Sequence, residues 1–171
     1  MQDFFNMIAP LYEKLRPGAR DVFDRVTGLV EFKQSDKVVD IGGGTTEIAV
    51  ISLGGVVNSR SMRTAGDDLN QDIINFCRDE FNLLIGERTA EQAKIQLGSA
   101  LPLEDELEIM IRGRDLVTGL PKELALSSRH VRAALDKTMN LIIENVRSTI
   151  ETTPPELLAD IYERGIMLTG G

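Results

Sequence analysis

A short stretch near residue 40 contains residue types whose spacing suits the binding of an anion and a cation. It holds one acid, three consecutive glycines and two threonines: Asp40, Gly42, Gly43, Gly44, Thr45 and Thr46. Because glycine has no Cβ, backbone N–H groups in such a loop can close around an anion. The acid stands at the end of an apolar run, where it is placed to hold a cation, or water around one, beside that anion.

The segments on both sides of the glycines indicate what kind of loop this is. Lys37–Ile41 is typical of a buried strand, and the β-branched run Glu47–Leu53 predicts a second one before Gly54 and Gly55. A dinucleotide-binding loop opens a helix and then crosses to a parallel strand, which needs roughly a dozen or more residues. The spacing here is too short, so the loop is predicted to join two antiparallel strands. A hairpin tip around phosphate is typical of actin and Hsp70 proteins.

Several longer segments resemble the MreB family of bacterial actin homologues. They are DIGGGTTEIAVISLGG, AGDDLNQDIINFCRDEFNLLIGERTAEQAKIQLGSA, RGRDLVTGLPKEL and VRSTIETTPPELLADIYERGIMLTGG. The resemblance extends over about residues 38–171. It implies an actin-like (ribonuclease H-like) α/β domain fragment with a mixed sheet, a β-hairpin phosphate loop and a small α/β insertion. Residues 37–65 and 126–171 would form subdomain IIA of this second domain, and residues 66–125 subdomain IIB; the first domain is expected to be missing.

The resemblance also implies roles for the candidate site residues. The loop Gly42–Thr46 would hold the β- and γ-phosphates of ATP or ADP, and Asp40 would position Mg²⁺ through water. Glu91 and Lys94 match the family's Glu-x-x-Lys pair, which contacts ribose and adenine. From spacing alone, such a pair on one helix face would be interpreted as a surface ion pair.

The end of the sequence matches a further family motif. Gly170 and Gly171 would line the adenosine side, in a turn that continues in the family with a third glycine and a helix. Because this sequence stops inside that motif, a carboxylate is expected where a neutral turn should lie, which would weaken nucleotide binding.

Capping signals and apolar spacing predict the remaining elements. Asp67 is predicted to cap a helix ending near Asn82, on whose apolar face Cys77 is a packed thiol rather than a nucleophile. His130, in the first turn of a later helix, is predicted to be exposed and inert. The other predicted boundaries are a helix from Thr89 to Gly98, strands 107–111 and 122–126, a helix from Ser127 or Ser128 to Glu151, a capping box at 153–156, a helix end at Gly165 and a strand over 166–169.

Residues 1–36 resemble a different family. Phe5, Ile8, Ala9 and Tyr12 match the start of class I SAM-dependent methyltransferases of the ubiquinone/menaquinone type. The two resemblances meet at VVDIGGGT, so the sequence is interpreted as a chimera joined at a shared motif. Two alternatives are a pair of helices packing on the sheet and a membrane-surface stripe; Pro10 and the lack of basic flanks argue against the stripe.

Composition excludes several classes of function. A net charge of −8 and a pI of about 4.7 argue against a nucleic-acid partner. One cysteine excludes an intrachain disulfide, and with a single histidine no zinc set can be assembled. The sequence contains no transmembrane run or secretory signal, so a cytoplasmic location is expected and any membrane association would be indirect.

The expected function is that of an MreB-like cytoskeletal domain that binds ATP/ADP with Mg²⁺ and contacts MreB-type filament subunits. No catalytic residue is assigned, and efficient ATP turnover or polymerisation by this chain alone is not expected, since in the family both need the first domain. One alternative is a SAM-dependent methyltransferase fragment, but Thr46 replaces its third loop glycine and Asn58–Arg60 lacks its ribose-binding acid. Another alternative is a filament-interaction module that binds no nucleotide.

Overall fold

The computed structural model describes residues 36–52 and 55–170, which form two compact units. One unit contains the described residues up to Gly66 and those from Leu141 onward; the other is Asp67–Asn140. The described strands are β1 (Asp36–Ile41), β2 (Thr46–Ser52), β3 (Gly55–Met62), β4 (Leu83–Leu84), β5 (Glu108–Asp115), β6 (Pro121–Ser127) and β7 (Met167–Gly170). The described helices are α1 (Gly66–Phe81), α2 (Glu87–Leu97), α3 (Ser128–Glu151) and α4 (Pro155–Arg164).

The first unit is built on a mixed sheet with the strand order β3-β2-β1-β7 among its described strands. β2 is antiparallel to β1 and β3, whereas β7 is parallel to β1. The hairpin prediction is therefore confirmed, because the glycine loop leads from β1 directly into strand β2. Val39, Ile48 and Val50 are buried in this sheet, as β-branched residues of a core-facing strand should be.

Polar contacts join β3 to the C-terminal part of α3 in the same unit. The Asn58 side-chain amide donates to the Thr152 hydroxyl at 2.8 Å and to the Thr149 carbonyl at 3.3 Å. The Arg60 guanidinium donates to Asn145 Oδ1 at 3.2 Å. The methyltransferase alternative singled out residues 58–60 as the place where an acid should stand, and two of these residues instead hold the strand to the helix.

The second unit packs α1, α2 and the first part of α3 around the antiparallel sheet β4-β5-β6. Cys77 is fully buried in this core, which confirms that it is a packed thiol. The core combines large aliphatic residues with two alanines of α2. Its buried members are Ile73, Cys77, Leu83, Ile85, Ala90, Ala93, Leu97, Ile111, Leu126, Val131 and Leu135.

The capping predictions at two helix starts are wrong. α2 begins at Glu87 rather than Thr89, because the carbonyl of Gly86 already accepts the N–H of Thr89 at 3.0 Å. Thr153 does not cap α4 either, since its hydroxyl donates to the Thr149 carbonyl at 2.8 Å and Pro154 is the N-cap. The Thr89 N–H is thus bonded to a backbone carbonyl, and the Thr153 hydroxyl is bonded to the preceding helix α3. Neither threonine side chain caps a helix as the local pattern predicted.

The strand predicted over residues 107–111 is too short, since β5 runs to Asp115. The remaining predicted boundaries agree with the structure within a residue or two. α1 starts at Gly66, one residue before the predicted cap Asp67, which lies in the first helical turn. α2 is followed by Gly98, and α4 ends before Gly165, whose φ of 76° favours glycine. The strand predicted over residues 166–169 is present as β7.

His130 is not exposed and inert as predicted. Its side chain is half-buried, its ring stands edge-on to Phe81 with centroids 5.2 Å apart, and its Nδ1 accepts the N–H of Ser127 at 3.2 Å. In return, the Ser127 hydroxyl accepts the N–H of His130 at 3.3 Å, as an N-cap side chain does. The histidine therefore helps to start α3.

Candidate functional site

The loop between β1 and β2 is a tight turn with unused hydrogen-bond donors. The Gly42 N–H donates to the Thr45 carbonyl at 2.9 Å, and the Gly42 carbonyl accepts the Gly66 N–H at 3.1 Å. Gly43, Gly44 and Thr45 are exposed, and within residues 36–52 and 55–170 their N–H groups meet no acceptor. Successive free N–H groups in one turn form a concave site for an anion.

Thr46, the first residue of β2, joins the end of the loop to a more distant segment. It is fully buried, and its hydroxyl donates to the Thr64 carbonyl at 2.7 Å. The hydroxyl is thus engaged inside the protein, and the donors that remain for an anion are those of Gly43, Gly44 and Thr45. Sequence analysis missed both Thr64 and Gly66, because no local pattern relates a threonine or a glycine to a loop some twenty residues earlier.

Two other predicted site residues lie beside the loop in the same sheet. Asp40 is the register partner of Glu47 in β2 and of Thr169 in β7, and Ile41 is the partner of Gly170. The structure thus brings Asp40, the loop and Gly170 to one end of the sheet. Gly171 lies outside the described residues.

The predicted pair Glu91 and Lys94 belongs to the other unit, on one face of α2. Glu91 is exposed, whereas Lys94 is half-buried. Partial burial lowers the pKa of Lys94, and the carboxylates of Glu91 and Asp67 offset part of that shift by favouring the charged amine. Asp67, which the sequence suggested only as a helix cap, is therefore electrostatically part of this group.

The described residues offer little to alternative chemistries. They contain no group of three or more His, Cys, Asp or Glu side chains that could hold a metal ion by itself. Burial raises the pKa of the Cys77 thiol to about 11, so it is not a thiolate near neutral pH. No helix within residues 36–52 and 55–170 is both long and apolar enough to cross a membrane.

The mixed sheet, its hairpin loop and the inserted three-stranded sheet define an actin-like fold. MreB5 of Spiroplasma citri bound to ADP superposes with a TM-score of 0.81 at 40% identity, over 86% of this chain and 45% of that chain. A MamK double helical filament superposes with a TM-score of 0.63 at 23% identity, over 80% of this chain and 41% of that chain, which supports the fold alone.

The family model described as MreB/Mbl protein matches residues 28–171. The chain belongs to the MreB/Mbl family. Mbl of Bacillus subtilis, a cell shape-determining protein, is 48% identical over 145 residues, which are 84% of this chain and 44% of Mbl. MreB of Escherichia coli K12 is 50% identical over 134 residues, 78% of this chain and 39% of MreB. The chain thus spans less than half the length of these relatives.

The family match begins earlier in the chain than the sequence analysis predicted. It starts at residue 28, whereas the predicted resemblance started at about residue 38. Part of the segment that was assigned to a methyltransferase is therefore matched by the MreB/Mbl model. The methyltransferase alternative is further disfavoured by β2, which stands where that fold needs a helix.

Proposed function

We propose that this chain is a nucleotide-binding part of an actin-like cytoskeletal protein and that the loop of residues 42–45 binds the phosphates of ADP or ATP. The observation that carries the proposal is the exposed turn in which the N–H groups of Gly43, Gly44 and Thr45 meet no acceptor among residues 36–52 and 55–170. Such a turn is complementary to phosphate oxygens, whereas it offers nothing to a neutral base.

The relatives support an adenine nucleotide as the ligand. MreB5 of Spiroplasma citri has been solved with ADP and with AMPPNP, an ATP analogue, at 40% identity to this chain. Asp40, at the sheet end beside the loop, is proposed to hold Mg²⁺ through water. A magnesium ion bound by one carboxylate, waters and ligand phosphates needs no cluster of protein side chains.

The assignment of adenosine contacts to Glu91, Lys94, Gly170 and Gly171 remains part of the proposal. The position of Glu91 and Lys94 on one face of α2 supports it, as does the placement of Gly170 beside Ile41. Subdomain boundaries of 37–65 with 126–171, and of 66–125, are proposed on the same family resemblance. We assign no catalytic residue and propose no turnover by this chain alone.

The proposed cellular role follows the relatives, which are cell shape-determining proteins and, more distantly, filament-forming MamK. Subunits of MreB-type filaments are therefore the proposed partners. The absence of a nucleic-acid partner is proposed from the charge of −8. The hypothesis of a methyltransferase-like N-terminus concerns residues that lie outside the described part of the chain, and it can be tested by removing residues 1–27 and repeating the binding measurements below.

Titration calorimetry with Mg·ADP, Mg·AMP, adenosine and S-adenosylmethionine tests the phosphate proposal. Affinity should fall from Mg·ADP to Mg·AMP to adenosine, because each lost phosphate removes acceptors for the loop N–H groups. S-adenosylmethionine should bind no better than adenosine. Adenosine binding as tight as ADP binding would overturn a phosphate site at this loop. S-adenosylmethionine binding tighter than ADP would restore the methyltransferase alternative.

The role of Asp40 is tested separately by comparing Asp40→Ala with the control Glu151→Ala, which removes an exposed acid from α3. Asp40→Ala should weaken ADP binding about tenfold in Mg²⁺ and leave it unchanged in EDTA. Glu151→Ala should match the unmodified chain in both buffers. An equal loss with and without Mg²⁺ would contradict a magnesium role for Asp40.

A further inference from the structure

Strand β5 has one edge that no described strand covers along most of its length. β6 pairs with β5 from Glu108 to Arg114. On the other side, β4 pairs only with Arg114 and Asp115, at the far end of β5. Among the described strands, residues 108–113 therefore have a neighbour on one side only.

The hydrogen-bond pattern identifies the backbone groups at this open edge. The Ser128 N–H donates to the Leu107 carbonyl at 2.8 Å and the Asp115 N–H to the Leu120 carbonyl at 2.9 Å, so odd-numbered residues of this stretch face β6. Because directions alternate along a strand, even-numbered residues face away from β6. Glu108, Met110 and Arg112 thus present their N–H and C=O groups to the open edge.

The side chains of the same three residues stand on the outer face of the sheet. Met110 is 63% exposed, whereas its neighbour Ile111 points into the core and is 3% exposed. Arg112 Nε lies 2.5 Å from Glu123 Oε1 on the adjacent strand. A groove of about 440 Å³ lies between residues 109–112 of β5 and Thr89, Gln92 and Gln96 of α2, so this stretch of β5 borders open space.

We propose that this open edge pairs with the same edge of a second copy of the chain, as two antiparallel β5 strands centred on Met110. In that register Met110 faces Met110 of the second copy, and Glu108 faces Arg112 in both directions. Opposite charges directly across an antiparallel pair are stabilising, and the exposed Met110 side chains would cover each other. Each copy contributes three outward N–H groups and three carbonyls to the shared ladder.

The charge pattern is the reason for choosing a second copy over another partner. An antiparallel strand that complements this edge needs an acid, an apolar residue and a base at alternate positions, and β5 itself carries them as Glu108, Met110 and Arg112. A two-fold arrangement requires such self-complementarity, because every contact occurs twice. Arg112 would then lie between Glu123 on one side and Glu108 of the second copy on the other.

Charge exchange tests this pairing by sedimentation equilibrium of the full chain. Glu108→Arg alone places arginine opposite Arg112, and Arg112→Glu alone places glutamate opposite Glu108, so each variant should self-associate at least about tenfold more weakly. An equimolar mixture of the two should recover association, since every facing pair is again opposite in charge. Glu151→Arg in the other unit is the matched charge control and should associate as the unmodified chain does.

The mixture separates a lost contact from a lost fold, because misfolded chains would not recover association when combined. Recovery in the mixture only, with the control unchanged, supports the β5 edge as the interface. A chain that stays monomeric at the highest soluble concentration overturns the proposal. So does self-association of either single variant that is as strong as that of the unmodified chain, or a mixture no stronger than its components.

Discussion

Two β-hairpin turns in this protein differ in whether their backbone N–H groups have a hydrogen-bond acceptor. In the turn between β5 and β6, the Asp115 carboxylate accepts the N–H of Val117 at 2.7 Å and that of Thr118 at 3.0 Å. In the loop between β1 and β2, the N–H groups of Gly43 and Gly44 have no acceptor in the described part of the chain. One turn supplies its own anion, and the other leaves the place for an external one.

The sequence difference between the turns accounts for this contrast. Asp115 is the last residue of β5 and the first residue of the turn to β6. The Gly119 N–H also donates to the Asp115 carbonyl at 2.8 Å. The bonds from Thr118 and Val117 hold the pKa of Asp115 below its ordinary value, with a smaller contribution from Lys122. The glycine loop contains no acid of its own, so no side chain of the loop accepts the N–H groups of Gly43 and Gly44. A closed turn stabilises a hairpin, whereas an open one can bind a ligand.

The largest expected effect comes from giving the open loop its own anion. Gly43→Asp should weaken Mg·ADP binding about 100-fold or more, because the new carboxylate competes for the loop N–H groups and repels the phosphates. Gly43→Ala is the matched control and should lose far less, since it adds bulk without charge. Calorimetry measures both. Unchanged ADP binding by Gly43→Asp would show that phosphate does not occupy this loop.

An intermediate effect is expected from glycine replacements in the two turns. Gly119 has a φ of 76°, which an L-residue adopts with strain, so Gly119→Ala should lower the free energy of unfolding by about 1 kcal/mol. The φ of Gly42 lies outside this left-handed range, and an added Cβ would stand 3.4 Å from the Thr45 carbonyl oxygen. Gly42→Ala should therefore lower the free energy of unfolding by only a few tenths of a kcal/mol. Urea denaturation compares the two. A larger loss for Gly42→Ala would reverse the assignment of strain.

The smallest effect concerns pH and the closed turn. Because the pKa of Asp115 is lowered from 3.8, its stabilising effect is fully present above that pH and is lost as the pH falls through the lowered value. The unmodified chain should therefore be more stable than Asp115→Asn at pH 7, and the difference should shrink in acid. Thermal unfolding across this pH range measures it. A difference that grows towards low pH would contradict the assigned contacts.

The sequence by itself determined the parts of this protein that depend on local spacing. The short distance between the glycines and the next β-branched run predicted a hairpin, and β1 and β2 form one. Apolar residues at helical spacing predicted the buried face that carries Cys77. These predictions succeeded because strand and helix periodicity are properties of neighbouring residues, and a segment too short for a crossover excludes a parallel connection in any context.

Only the tertiary structure decided which polar groups are engaged and which stay free. The Thr46 hydroxyl donates to the Thr64 carbonyl, so the loop has one donor fewer than its composition suggested, and the Gly42 carbonyl is engaged as the acceptor of the Gly66 N–H. Similarly, the open edge of β5 exists because β4 is only two residues long. A backbone group is satisfied by whatever the fold brings within about 3 Å of it, and that neighbour is set by packing between distant segments rather than by the residues beside it.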